Sequence, residues 1–272
     1  MTGELAMDEG NALADRGDFS GAMEAFRRAK EQGAAGADLN LGNSYWALGD
    51  TQNAIAAFEN GWRSGDNDAG FNLASLLESH GLDTARAIYR HLAEEGYVKA
   101  AVNEAWARRE EGDFDGAIAI LQPHLKGVEE GNLARSALGA ILWQRKDAAR
   151  AEPLLRSVMH VDPHARADLG HLLVQTGRSA EAKSVWRMGV DRSEVESMVP
   201  LANLLAEEGE VEEAEPLYQR AFDLGDAHAA MNLAVDLWDQ GRRADARTWV
   251  TRAAKAGDAR AAEWLQEIDD ES

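Results

Sequence analysis

One alanine recurs through this chain at nearly constant intervals: Ala22, Ala54, Ala85, Ala117, Ala151, Ala182, Ala214 and Ala246, with steps of 32, 31, 32, 34, 31, 32 and 32 residues. A period of that length means an array of similar units, each too small to bury its apolar face alone. Further positions keep the same register. Four residues after each alanine stands an apolar residue: Phe26, Phe58, Tyr89, Leu121, Leu155, Trp186, Tyr218 and Val250. Upstream lies a residue that is always glycine or alanine: Gly10, Gly42, Ala74, Ala105, Gly139, Gly170, Ala202 and Ala234. Three residues beyond it comes a bulky one, leucine or tyrosine except for Arg108 in the fourth unit.

Apolar residues three and four apart line one face of a helix. Each unit therefore reads as two helices. Between them falls Gly17, Gly49, Gly81, Gly112, Gly177, Gly209 or Gly241, with Lys146 in the fifth unit. Glycine ends a helix there because it accepts the left-handed conformation at low cost. The small residues fall where two helix axes approach closely. Asp66, Asp226 and Asp258 suit the N-caps of the following helices, as does Asp162 before Pro163. Ser193 followed by Glu196 reads as a capping box for the seventh unit. The pattern predicts an all-α chain of about eight antiparallel helix pairs, closed by a C-terminal capping helix over 258–267.

The unit resembles the tetratricopeptide repeat. The match is carried by Asn40-Leu41-Gly42-Asn43-Ser44-Tyr45, then Gly49-Asp50 and Ala54 with Phe58, and by Ala214-Glu215-Pro216-Leu217-Tyr218. The stretch Ala253-Ala254-Lys255-Ala256-Gly257-Asp258-Ala259 leans toward the related Sel-like repeats. Most units lack the family's terminal proline, and the period is nearer 32 than 34. The resemblance implies a right-handed α-solenoid, a single repeat domain over 1–272. It also implies a concave groove lined by the first helix of each unit, where a peptide or partner protein lies.

Carried onto this chain, that groove holds a row of asparagines. Asn40, Asn72, Asn103 and Asn232 stand two residues before the small residue, and Asn11, Asn43 and Asn203 one after it. An amide both donates and accepts, which suits gripping a peptide backbone of any sequence. Asparagine is also a common consensus choice at both positions, so a packing role stays open. His164, Asp168 and His171 share one helix face in the sixth unit and read as a polar groove wall rather than a metal site, since no closed ligand set accompanies them. Trp106 occupies the position of Asn11, Asn43 and Asn203, and is either a groove anchor or a ring tucked between first helices. Trp186 takes a core position, and Trp46, Trp143 and Trp238 read as packing residues.

The fourth unit is irregular. Glu104 and Arg108 replace apolar residues and are expected to pair, partly exposed, because burial of the pair would cost desolvation. The longest step follows, through Val128-Glu129-Glu130-Gly131, and suggests a half-array boundary near 127–131 acting as a hinge. Pro200 is expected to shorten or kink its helix.

Net charge is −20, unevenly spread. Residues 131–193 carry ten Lys/Arg against six Asp/Glu, whereas 194–225 carry one Arg against nine acids. The glutamates from Glu207 to Glu215 suit a solvated turn or a dock for a basic segment of a partner. So acidic a chain repels phosphate, so no nucleic-acid partner is expected. No run of about 18 apolar residues suggests a membrane span. The start of the chain has no signal-peptide core, and a cytoplasmic home is the default. There is no cysteine, no nucleophile–base motif and no phosphate loop, so neither enzyme activity nor a cofactor is expected. The reading is a non-enzymatic scaffold or adaptor that binds a peptide or partner protein in the groove. The alternative is a self-assembling structural or regulatory protein that uses its ends or convex face. Polar residues at both ends (Asp8, Glu9 and Asp15; Glu263 and Glu267) favour a monomer.

Overall fold

The structure is a computed structural model and describes residues 2–81 and 84–270. Those residues form an all-α solenoid of seventeen α-helices, with no strand. In order they are α1 (Thr2–Ala14), α2 (Phe19–Glu31), α3 (Ala37–Ala47), α4 (Thr51–Arg63), α5 (Asn67–Ser79), α6 (Thr84–Glu94), α7 (Val98–Glu110), α8 (Phe114–Leu121), α9 (Glu129–Gln144), α10 (Ala148–Val158), α11 (Pro163–Gln175), α12 (Ser179–Val190), α13 (Val195–Glu207), α14 (Val211–Asp223), α15 (Ala227–Asp239), α16 (Arg243–Lys255) and α17 (Ala259–Asp270). Odd-numbered helices α1 to α15 are the first helices of the eight repeats, and α17 closes the chain.

The turns follow from backbone chemistry. At Gly49, φ is 76°, and the reversed chain lets Asp50 N–H reach the Tyr45 carbonyl at 2.9 Å, closing α3. Asp50 then caps α4 by accepting from Asn53 N–H. Lys146 performs the same turn at φ 67° without being a glycine. Asp66, Asp162, Asp226 and Asp258 cap the helices assigned to them from sequence. Ser193 does not. It sits at φ 64° in the turn that ends α12, and its hydroxyl accepts from Arg220, so α13 starts after Glu194 with no side-chain cap. Pro200 does not shorten α13, which keeps 13 residues. One lost donor is offset there by buried Met198, Leu201, Leu204 and Leu205 around it. The long step is absorbed locally. Pro123 follows α8, which stops after 8 residues, a short 3₁₀ turn continues over Gln122–His124, and α9 runs for 16 residues.

Within each repeat the small residue of the first helix packs on the apolar residue of the second. A Cβ on Gly10 would lie 2.4 Å from the Phe26 ring, and one on Gly42 the same distance from Phe58. The recurring alanines are buried for the same reason, with Ala22, Ala54, Ala117, Ala151, Ala182 and Ala246 at 0% exposure. First helices of successive repeats also touch, as α3 does α5, α11 does α13 and α13 does α15. They thereby share a face.

The chain divides into two compact units, residues 1–137 and 138–272. In the first unit Glu104 is fully buried, contrary to the partial exposure expected of it. Burial is tolerated because three guanidiniums meet its carboxylate: Arg108 at 2.9 Å, Arg86 at 3.2 Å and Arg90 at 3.6 Å. Trp46 departs from a packing role, being 40% exposed with only an edge against Phe58. Trp186, in the second unit, is buried as expected.

Candidate functional site

The asparagines meet one another. On a first helix, the position two before the small residue and the position one after it lie one turn apart. Where first helices run side by side, the earlier position of one repeat reaches the later position of the repeat before it. Asn40 Nδ2 donates to Asn11 Oδ1 at 3.1 Å, Asn72 Nδ2 to Asn43 Oδ1 at 2.9 Å, and Asn232 Nδ2 to Asn203 Oδ1 at 3.2 Å. Each pair spends one donor and one acceptor between repeats. These contacts leave the second N–H and the oxygen of each donating amide unused. Asn11 and Asn43 are exposed, and the others are half-buried.

Two repeats add a tyrosine to this arrangement. The Tyr218 hydroxyl donates to Asn203 Oδ1 at 2.8 Å. In the third repeat Ser75 replaces the asparagine and lies 2.9 Å from the Tyr89 hydroxyl, to which Asn103 also hydrogen-bonds. Asn103 thus joins through a tyrosine rather than a second amide. Trp106 is half-buried, with the Arg109 guanidinium 5.0 Å from its ring centre.

In the second unit, Asp168 and His171 take the two asparagine positions of the sixth repeat, and His164 is exposed one turn earlier. Burial pushes the Asp168 carboxyl up to about 6, with His164 opposing and Asp162 adding to the shift. His171 stacks on Trp143 at 5.9 Å between ring centres and meets Trp186 edge-on at 5.2 Å. That desolvation lowers its imidazole below the usual value, so the neutral ring is favoured. His171 is therefore part of an aromatic stack as much as a polar wall. Among the described residues, no group of three or more His, Asp or Glu side chains is placed to hold a metal ion.

The glutamate turn is largely paired within the protein. Lys183 bridges Glu208 at 2.5 Å and Glu210 at 2.9 Å, Arg187 meets Glu213 at 3.0 Å, and Arg242 meets Glu215. Glu207 is different. It lines a cavity of about 500 Å³ bounded by α13, α14 and α15, together with Asp236 and Asp239. The Tyr218 hydroxyl donates to Asn203 Oδ1 and also lies within hydrogen-bonding reach of the Asp236 carboxylate, whose Oδ2 is buried without a partner. Burial raises the Asp236 carboxyl above its ordinary range, Tyr218 opposes this, and Asp239 and Glu207 add to it. Reading the sequence overlooked Asp236, although the repeat register marks it. The equivalent position is Leu76, Ile141, Leu172 or Leu204 in other repeats, where the side chain is buried.

Known proteins share this architecture. Sequence models described as tetratricopeptide repeat match residues 102–164 and 199–262, residues 39–61, and residues 163–188. No curated protein matches the sequence. A tetratricopeptide repeat protein from Parabacteroides merdae is similar in structure, with a TM-score of 0.60 at 18% identity, covering 87% of this chain and 99% of its own. The c5321 protein, a protective antigen present in uropathogenic Escherichia coli strains, displays an SLR (Sel-like repeat) fold and gives a TM-score of 0.61 at 21% identity. That match covers 98% of this chain, which spans 64% of the c5321 chain. At these identities the likeness is one of fold alone.

Proposed function

Because the chain belongs to the tetratricopeptide-repeat family, with Sel-like repeat character, we propose that it is a non-enzymatic scaffold binding a peptide or partner protein along its first-helix faces. The fold of this family is generally a protein–protein interaction scaffold. The observation that carries the finer reading is the set of asparagine pairs. They place amide groups on the first-helix faces, two pairs in the first unit and one in the second, which suits a peptide backbone. No helix of the described residues is long and apolar enough to cross a membrane.

The test is photo-crosslinking in the native host. A photoreactive residue is placed at exposed Asn43 on a first helix, and at exposed Glu24 on α2 as the control. The reading expects adducts with another protein from position 43 and few from position 24. Adding Asn40→Ala and Asn72→Ala reduces those adducts at least several-fold while the helical melt stays nearly unchanged. Adducts only from position 24 place binding on the other face. Adducts made only of this chain favour self-assembly.

A further inference from the structure

We propose that the cavity bounded by α13, α14 and α15 receives an arginine side chain carried by a partner protein. This rests on the scaffold reading and supplies a recognition chemistry for one repeat interface. The cavity has two kinds of wall. Ala206, Val211 and Val235 are apolar, whereas Glu207, Asp236 and Asp239 are acidic. Val235 is 41% exposed. A side chain with a methylene stem and a cationic head matches both walls at once.

Charge balance differs between these three acids and most of the neighbouring glutamates. Nearby Glu208, Glu210, Glu213 and Glu215 are neutralised by Lys183, Arg187 and Arg242. Among the described residues no ion pair reaches Glu207, Asp236 or Asp239. The cavity thus gathers three carboxylates with no cation among its lining residues. Asp236 is also incompletely satisfied: one of its carboxylate oxygens, Oδ2, is buried without a hydrogen-bond partner. A buried acceptor left without a donor is unfavourable, and a bound N–H relieves it. Burial raises the Asp236 carboxyl in keeping with that shortage.

A guanidinium fits better than an ammonium. The acceptors are spread over two helices: Glu207 on α13, and Asp236, Asp239 and the Asn232 amide oxygen on α15. Five N–H donors in a planar fork reach acceptors at several bearings, and the guanidinium is less tightly hydrated than a lysine head.

The experiment titrates isotope-labelled full-length protein with N-acetyl-arginine N-methylamide and, separately, its citrulline counterpart. The two probes have nearly the same shape, and only the first is charged. Expected are amide NMR shifts centred on Asn203, Val211, Val235 and Asp236 with the arginine probe, at an apparent Kd on the order of millimolar for one side chain. The citrulline probe should bind at least ten-fold more weakly. Asp236→Asn with Glu207→Gln should weaken the arginine probe at least ten-fold with the helical melt retained, and Glu213→Gln should leave it unchanged. Equal response to both probes, response confined to other residues, or undiminished binding by the double variant overturns the proposal. If the double variant does not fold, the arginine–citrulline comparison on the unmodified chain still decides. Protein adducts at position 43 without an arginine response sink the cavity proposal alone and leave the scaffold. An arginine response with no protein adduct from a first-helix position overturns a protein-borne source.

Discussion

Gly170 faces Trp186 so closely that a Cβ on the glycine would lie 2.2 Å from Cε2 of the indole. Where a first helix carries glycine at this position, the side chain of the second helix fills the space a Cβ would take. Phe26, Phe58 and Leu155 stand over Gly10, Gly42 and Gly139, whereas Tyr89 and Tyr218 share their repeats with Ala74 and Ala202, and Leu121 with Ala105. The volume at each contact is shared between the two helices, so neither residue is chosen independently.

Gly170→Ala is therefore expected to destabilise the chain by about 1–3 kcal/mol, the usual cost of overpacking. Trp186→Leu, which recreates the Ala105–Leu121 combination, should recover part of that loss. A double-mutant cycle in denaturant, followed by circular dichroism, measures it. Strict additivity of the two single changes would contradict shared volume.

Glu104 holds three arginines from α6 and α7 on one buried carboxylate. Glu104→Leu installs the residue that stands at this position as Leu41, Leu73, Leu138, Leu169, Leu201 and Leu233 in other repeats. It should still destabilise, by about 2–4 kcal/mol, because the guanidiniums lose their partner. Arg86, Arg90 and Arg108 keep some access to water, which holds the loss below that of a fully buried triad. Denaturant melts of the single variant, and of the variant with Arg108→Leu added, check this.

The Asp168 carboxyl is raised from 3.8 to about 6 in the folded chain. As pH rises, the unfolded state loses its proton first, so ionisation costs the folded state stability between about pH 4 and 6 and by a constant amount above that. Asp168→Asn should therefore be more stable than the unmodified chain at pH 7, by about 1–3 kcal/mol, since each tenfold change in proton affinity is worth about 1.4 kcal/mol. The gain should vanish below about pH 4. Thermal melts of both proteins from pH 3.5 to 7.5 read the crossover, and a pH-independent difference would contradict the assignment.

Lys146 adopts φ 67° where other repeats place glycine. Lys146→Gly removes the left-handed strain and adds some unfolded-state entropy, for a net gain of about 0.5–1 kcal/mol. Lys146→Ala should gain nothing. Melting temperatures of the two variants separate backbone strain from loss of the side chain.

The helices and their order were legible because each repeat restates the same local rules. Spacing of apolar residues, glycine after the first helix and aspartate before the next decide the elements without distant contacts. Local rules failed where a partner from another helix intervened. Ser193 has the chemistry of a cap, but Arg220 on α14 engages its hydroxyl while its backbone serves the preceding turn. Glu104 was placed near the surface because one visible partner, Arg108, was too little to bury it. Arg86 and Arg90 come from α6.

The binding surface divides the same way. Sequence register alone determined which residues lie on the first helices, including every asparagine of the row. Which amide meets which was decided only by the tertiary structure, because Asn11 and Asn40 stand 29 residues apart and join only when α1 and α3 are neighbours. The acidic cavity is the stronger case. Glu207 is one of a run of similar glutamates in the chain, and only the placement of Lys183, Arg187 and Arg242 separates the four already paired from Glu207, which lines the cavity with Asp236 and Asp239. A repeat period carries short-range geometry from unit to unit. Charge acts through space, so its balance is settled only once the helices are packed.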